Sequence, residues 1–143
     1  MIYRRLFFAL ALSFTPAFAH EIERDGNVAA LLHTDPDDAP RVAAPTTVFF
    51  ELNQRGGRPI LLSQCACTLS VYAGSERPGS KPLSRGVLKQ GKGEVLSSVT
   101  FPAVGAYTLV LQGKPKTGTA FNPFKLSWAI RADGMAPGKA MNH

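Results

Sequence analysis

The chain has 143 residues, 45% of them hydrophobic and 18% charged, with two cysteines and a formal net charge of +6. That length suits one domain with a modest core.

The first residues read as a targeting segment. Arg4 and Arg5 precede an apolar run over residues 6–14, and Ala17-Phe18-Ala19 is a small-x-small cleavage site. The run is too short to span a bilayer. Residues 1–19 are therefore expected to be a signal peptide, leaving His20 as the mature N-terminus. No cysteine follows the cleavage site, so a lipid anchor is not indicated. Export to a periplasm is expected, with a thylakoid lumen or the external medium as alternatives. Removal of 19 residues from 143 leaves 124, and loss of Arg4 and Arg5 lowers the charge from +6 by two, to +4. The remaining charge is uneven: residues 20–54 hold seven acids and two bases, residues 55–143 three acids and twelve bases. A basic second half suits an acidic partner or an anionic surface, or is a solvated face. Nucleic acid is not expected as a partner, because the chain is exported and its bases are scattered over loops.

Beyond the leader, Gly and Pro recur at short intervals and helical periodicity is nearly absent, the pattern of an all-β domain. Residues 27–33 (NVAALLH) are expected to form a first strand, with a helical turn over the AALL core as the alternative. Residues 34–45 carry three prolines and three aspartates and are expected to turn. Residues 46–52 (TTVFFEL) are β-branched and aromatic, as a strand requires. A turn at residues 55–58 (RGGR) follows, and the next strand is expected to begin over 59–63. Residues 64–72 (QCACTLSVY) alternate, with Cys65, Cys67, Leu69 and Val71 on one face. Residues 73–93 are rich in Gly, Pro, Ser and Lys and read as a long exposed connection holding at most one short edge strand. Strands follow at 94–101 (EVLSSVTF) and 106–112 (AYTLVLQ). Phe124, Leu126, Trp128 and Ile130 then alternate with polar or small residues in a final strand. No segment after the leader is long and apolar enough to cross a membrane. The expected layout is a β-sandwich domain over residues 20–132 and a flexible tail over 133–143.

About seven strands in roughly 105 residues are the count and spacing of an immunoglobulin-like Greek-key sandwich, with a barrel of the same strand count as the alternative. In Gly105-Ala106-Tyr107, after Pro102, the tyrosine stands at the start of a late strand. A tyrosine there can return its hydroxyl to the upstream backbone as a tyrosine corner, or serve simply as a core aromatic.

Few residues carry chemistry. The histidines are His20, His33 and His143, and no nucleophile elbow, zincin motif or phosphate-binding loop is present. An enzyme is not expected. Metal binding is the sharper expectation. A mature N-terminal His20 would offer an amine and an imidazole on one residue, His33 a second imidazole, and Cys65 and Cys67 two soft sulfurs. Nitrogen donors suit Cu(II) and thiolates Cu(I). Asp35, Asp37 and Asp38 lack the spacing of a calcium loop. The cysteines have alternatives. Residues two apart in an extended strand do not easily meet disulfide geometry, so a bridge requires a tight turn around Ala66. Free or intermolecular thiols are the third option.

The segment AALLHTDPDDAPR, the strand VFFEL at 48–52, Gly105-Ala106-Tyr107 and a leader cut before His20 together resemble small exported immunoglobulin-like domains of the CopC and YtkA-like periplasmic families. CopC proteins are copper carriers that use the mature N-terminal histidine, so the resemblance implies that role for His20. The further Asp and His of CopC sites have no counterpart over 121–131. The function expected is an exported metal-binding protein that binds or carries copper, with His20, Cys65 and Cys67 as ligands and His33 auxiliary. Its partner would be a copper donor or acceptor. The alternative is an interaction module of an exported or membrane-associated complex, without metal, using its basic second half and the 73–93 loop.

Overall fold

A computed structural model describes residues 21–36 and 38–134. Residues 1–20, Asp37 and residues 135–143, on which the expected signal peptide, the expected ligand His20 and most of the expected tail with His143 fall, lie outside the described residues.

Nine strands run in order: β1 Glu21–Asp25, β2 Val28–Asp35, β3 Pro45–Gln54, β4 Thr68–Ala73, β5 Ser84–Gly86, β6 Lys89–Gln90, β7 Val95–Thr100, β8 Gly105–Gly113 and β9 Phe124–Ala132. They form two antiparallel sheets, ordered β1-β2-β3-β7-β6 and β5-β4-β8-β9. Setting aside β1, the first sheet has the A-B-E-D order of an immunoglobulin domain. In the second, β4-β8-β9 is C-F-G, flanked by β5. The chain changes sheet between β3 and β4, between β5 and β6, and between β7 and β8, as a Greek key requires. The expected all-β sandwich is therefore the fold observed.

Alternation builds the core. Val28, Ala30 and Leu32 of β2, Val48, Phe50 and Leu52 of β3, and Val95 and Val99 of β7 point inward from the first sheet. Leu69 and Val71 of β4, Leu109 and Leu111 of β8, and Leu126, Trp128 and Ile130 of β9 face them. The Phe50 and Trp128 rings meet across the sandwich at 5.2 Å, tilted by 49°. Trp128 also donates its indole N–H to the Glu21 carbonyl at 3.0 Å, and the Lys125 backbone N–H donates to Asp25 Oδ2 at 2.8 Å. These bonds tie β1 of one sheet to β9 of the other and cover that side of the sandwich.

The tyrosine corner forms. Tyr107 donates its hydroxyl to the Ala103 carbonyl at 2.5 Å and accepts the Ala103 N–H at 3.1 Å. Its ring packs against Phe101 at 4.8 Å, tilted by 56°, so a polar tip and an apolar body are both satisfied.

Three local expectations are corrected. The strand expected over 64–72 begins only at Thr68, after a 3-10 turn at Leu62–Gln64. Before it, Cys65 makes only an isolated bridge to Pro115. Residues 59–63 contribute a lone bridge from Pro59 to Asn53 rather than a strand. The 73–93 connection holds two short strands, β5 and β6, which join opposite sheets. In addition, β1 pairs with β2 through a hairpin at Gly26, whose φ of +58° is the left-handed conformation such a tight turn needs. The segment EIERD carries no apolar alternation by which to find it.

Candidate metal centre

The outer face of the five-stranded sheet carries the residues that meet. In β2 and β3 every second side chain leaves the core, which turns His33, Phe49 and Glu51 outward. His33 stands opposite Phe49 in the β2–β3 register, and the two rings contact at 4.9 Å. On the other side of β3 the described pairing with β7 ends at Phe50 and Val95. Glu51 and Glu94 are the next residues along the two strands, so the pleat brings both carboxylates to the same face.

Glu94 is held by the turn between β6 and β7. Its carbonyl accepts the Gly91 N–H at 2.7 Å and the Gln90 side-chain amide at 3.1 Å. Gly93 closes that turn at φ +75°. From there Glu94 Oε1 comes within 3.6 Å of His33 Nε2, each side chain about one quarter exposed (25% and 26%). His33, Glu51 and Glu94 each present one ligand atom, all within 4.8 Å of one another, and this is the one such group of three among the described residues.

The chemistry follows from the donors. Two carboxylates this close repel each other unless a cation stands between them. The imidazole adds a nitrogen of intermediate softness, a combination that suits a divalent transition metal. The half-buried setting removes part of the competing water, while the open face leaves an entry path.

Of the residues expected from sequence to bind metal, His33 lies in this cluster. His20 lies outside the described residues; Glu21, which follows it, stands opposite Leu32, the neighbour of His33. Cys65 and Cys67 are not brought to the cluster. They are joined in a disulfide with Cα atoms 5.2 Å apart, the option that needed a turn around Ala66. In that form they carry no thiolate for a metal. The segment is held by the Ala66 N–H on the Lys114 carbonyl at 2.9 Å and the Lys116 N–H on the Gln64 carbonyl at 3.0 Å. Closing so short a loop, with a sequence separation of 2, is worth only about 1.6 kcal/mol by the chain-entropy relation. The bridge is a poor staple.

Of the segment expected to turn, Thr34 and Asp35 still belong to β2 and Pro45 opens β3, while between them Arg41 and Val42 make isolated bridges. Asp38 Oδ1 accepts the Thr34 N–H at 2.7 Å, and the Asp38 N–H returns to the Thr34 carbonyl at 3.0 Å. Glu51 and Glu94 were not singled out from sequence. Glu51 is the lone charge in TTVFFEL, on the outward phase of its strand, which is a usable signal; Glu94 has none, because its place depends on the β6–β7 turn. Among the described residues no helix is long and apolar enough to cross a membrane. Comparisons with protein-family models, with curated proteins and with solved structures found no match for this chain.

Proposed function

We propose that the chain is an exported metal-binding β-sandwich that holds or passes copper, centred on His33, Glu51 and Glu94. The observation that carries this reading is the meeting of one imidazole and two carboxylate ligand atoms within 4.8 Å on the open face of the sheet. Nitrogen and oxygen donors of this kind fit Cu(II), and an N-terminal amine and imidazole at His20 would complete the set. Cleavage after Ala19 would put that amine one residue from Glu21, whose register partner adjoins His33. The likeness to CopC proteins in sequence supports the same metal. Cys65 and Cys67 would hold Cu(I) only after reduction, as a separate soft site.

The test is Cu(II) titration of the protein isolated from the exported fraction, followed by electron paramagnetic resonance, with Zn(II) as competitor. The expected result is one tight Cu(II) with nitrogen coupling, weakened at least about tenfold by His33→Ala. Unchanged affinity in both His33→Ala and Glu94→Gln would sink the centre.

A second reading, an interaction module, is favoured by the 73–93 connection. Leu83 and Val87 are 52% and 74% exposed there, beside the exposed cations Arg77, Lys81, Arg85, Lys89 and Lys92. An acidic partner that co-purifies through chelator washes would support it; its loss on charge reversal of Lys89 and Lys92 would locate the contact.

A further inference from the structure

The disulfide lines a surface recess of about 360 Å³ together with Leu62, Arg85, Leu88 and Lys116. We propose that the Cys65–Cys67 bridge is a thiol–disulfide exchange site for a small anionic thiol. Three observations carry this.

The two sulfurs differ in access. Cys65 is 2% exposed, and its sulfur packs so closely on Gly113 that a Cβ there would stand 2.5 Å from it. Cys67 is only partly covered, packed at the margin of the core. An incoming thiolate therefore reaches Cys67 and not Cys65, which is the division between an exchanging and a resolving sulfur.

The charges of the recess have one sign. Arg85 and Lys116 are exposed on its rim, none of the lining residues is acidic, and neither cation enters an ion pair among the described residues. Cations beside a sulfur favour attack by thiolate and attract an anionic reagent. The volume is at the lower end of the range of small-molecule sites, which suits a thiol of tripeptide size.

Finally, the bridge constrains little of the chain. It joins residues two apart, on a segment already held by backbone bonds to residues 114–116. Opening it leaves both sheets intact.

The exchange balances as two displacements. The thiolate attacks Cys67 Sγ, forming a mixed disulfide; the Cys65–Cys67 bond breaks and its electron pair goes to Cys65 Sγ, which takes a proton because burial favours the thiol. A second thiol attacks the mixed disulfide, releasing the oxidised small-molecule disulfide and the Cys67 thiol. Two small thiols are oxidised and the protein gains two electrons and two protons. The reverse sequence re-forms the bridge.

The experiment uses the full exported chain with its bridge intact, incubated in glutathione buffers and quenched by alkylation for intact-mass measurement. Two alkylated thiols in protein that keeps its near-ultraviolet circular dichroism are expected; reduction that occurs only in denaturant would overturn the proposal. Cys65→Ser is expected to trap glutathione on Cys67, with Cys67→Ser at least about tenfold slower. Equal rates in the two variants would refute the assigned roles. If either variant misfolds, the measurement on the intact bridge decides. The double charge reversal Arg85→Glu with Lys116→Glu should slow glutathione about threefold or more relative to uncharged mercaptoethanol. An unchanged ratio would overturn the anionic class. Because the readout is thiol mass in metal-free buffer, failure of the copper reading leaves this result standing, and the reverse.

Discussion

Glu94→Gln is expected to move stability in opposite directions with and without metal. Glu51 and Glu94 place two carboxylates beside the His33 imidazole on the outer face of the sheet. Their ligand atoms lie within 4.8 Å, so even at the dielectric constant of bulk water they repel by about 0.9 kcal/mol. The half-buried setting only raises that figure. Glutamine keeps the shape and a hydrogen-bonding oxygen but removes the charge. The metal-free variant should therefore be more stable than the parent by about 1 kcal/mol, or about 4 °C in Tm for a domain of this size. With Cu(II) at a hundredfold over its Kd, the parent gains about 2.7 kcal/mol, or roughly 10 °C, by mass action. The variant, having lost a charged ligand, should show only a small part of that rise. Differential scanning calorimetry of both proteins, after chelation and after copper addition, reads all four values. A Glu94→Gln protein that melts below the parent without metal, or gains as much as the parent with it, would refute the reasoning.

Two further outcomes follow from the packing. Tyr107→Phe keeps the ring against Phe101 but removes both hydrogen bonds to residue 103, and should cost about 1–2 kcal/mol in urea unfolding. An unchanged midpoint would mean that water replaces the corner at no cost. Gly113→Ala places a Cβ 2.5 Å from Cys65 Sγ and 2.7 Å from Phe124 Cζ, and should destabilise by about 1–3 kcal/mol. Reduction of the bridge should relieve part of that loss, which unfolding curves with and without reductant would show.

The parts legible in the sequence are those carried by local pattern. Alternation over TTVFFEL and over the run from Phe124 to Ile130 marks β3 and β9, and their inward residues are the ones buried. The Gly105-Ala106-Tyr107 signal identifies the corner because the hydroxyl reaches a partner only four residues upstream. The cysteine segment misled for an equally physical reason. Its alternation continues that of Leu69 and Val71, yet regular pairing with β8 starts only at Thr68, and Cys65 keeps an isolated bridge while its sulfur is bonded to that of Cys67. A cross-link between residues two apart does not fit a fully extended strand.

What the sequence determined by itself is therefore the fold class, the inward faces of the long strands and the residue types available for chemistry. A period of two is set by the backbone of each strand alone and needs no partner. What only the tertiary structure decided is which of those residues meet. His33 is joined by Glu51 and Glu94, from three different strands or their ends, through two cross-strand registers and one glycine turn. Cys65 and Cys67, neighbours in sequence, are instead turned toward each other at the recess beside β5. Register is a property of paired strands, and a shift of one residue would turn every one of these side chains to the opposite face.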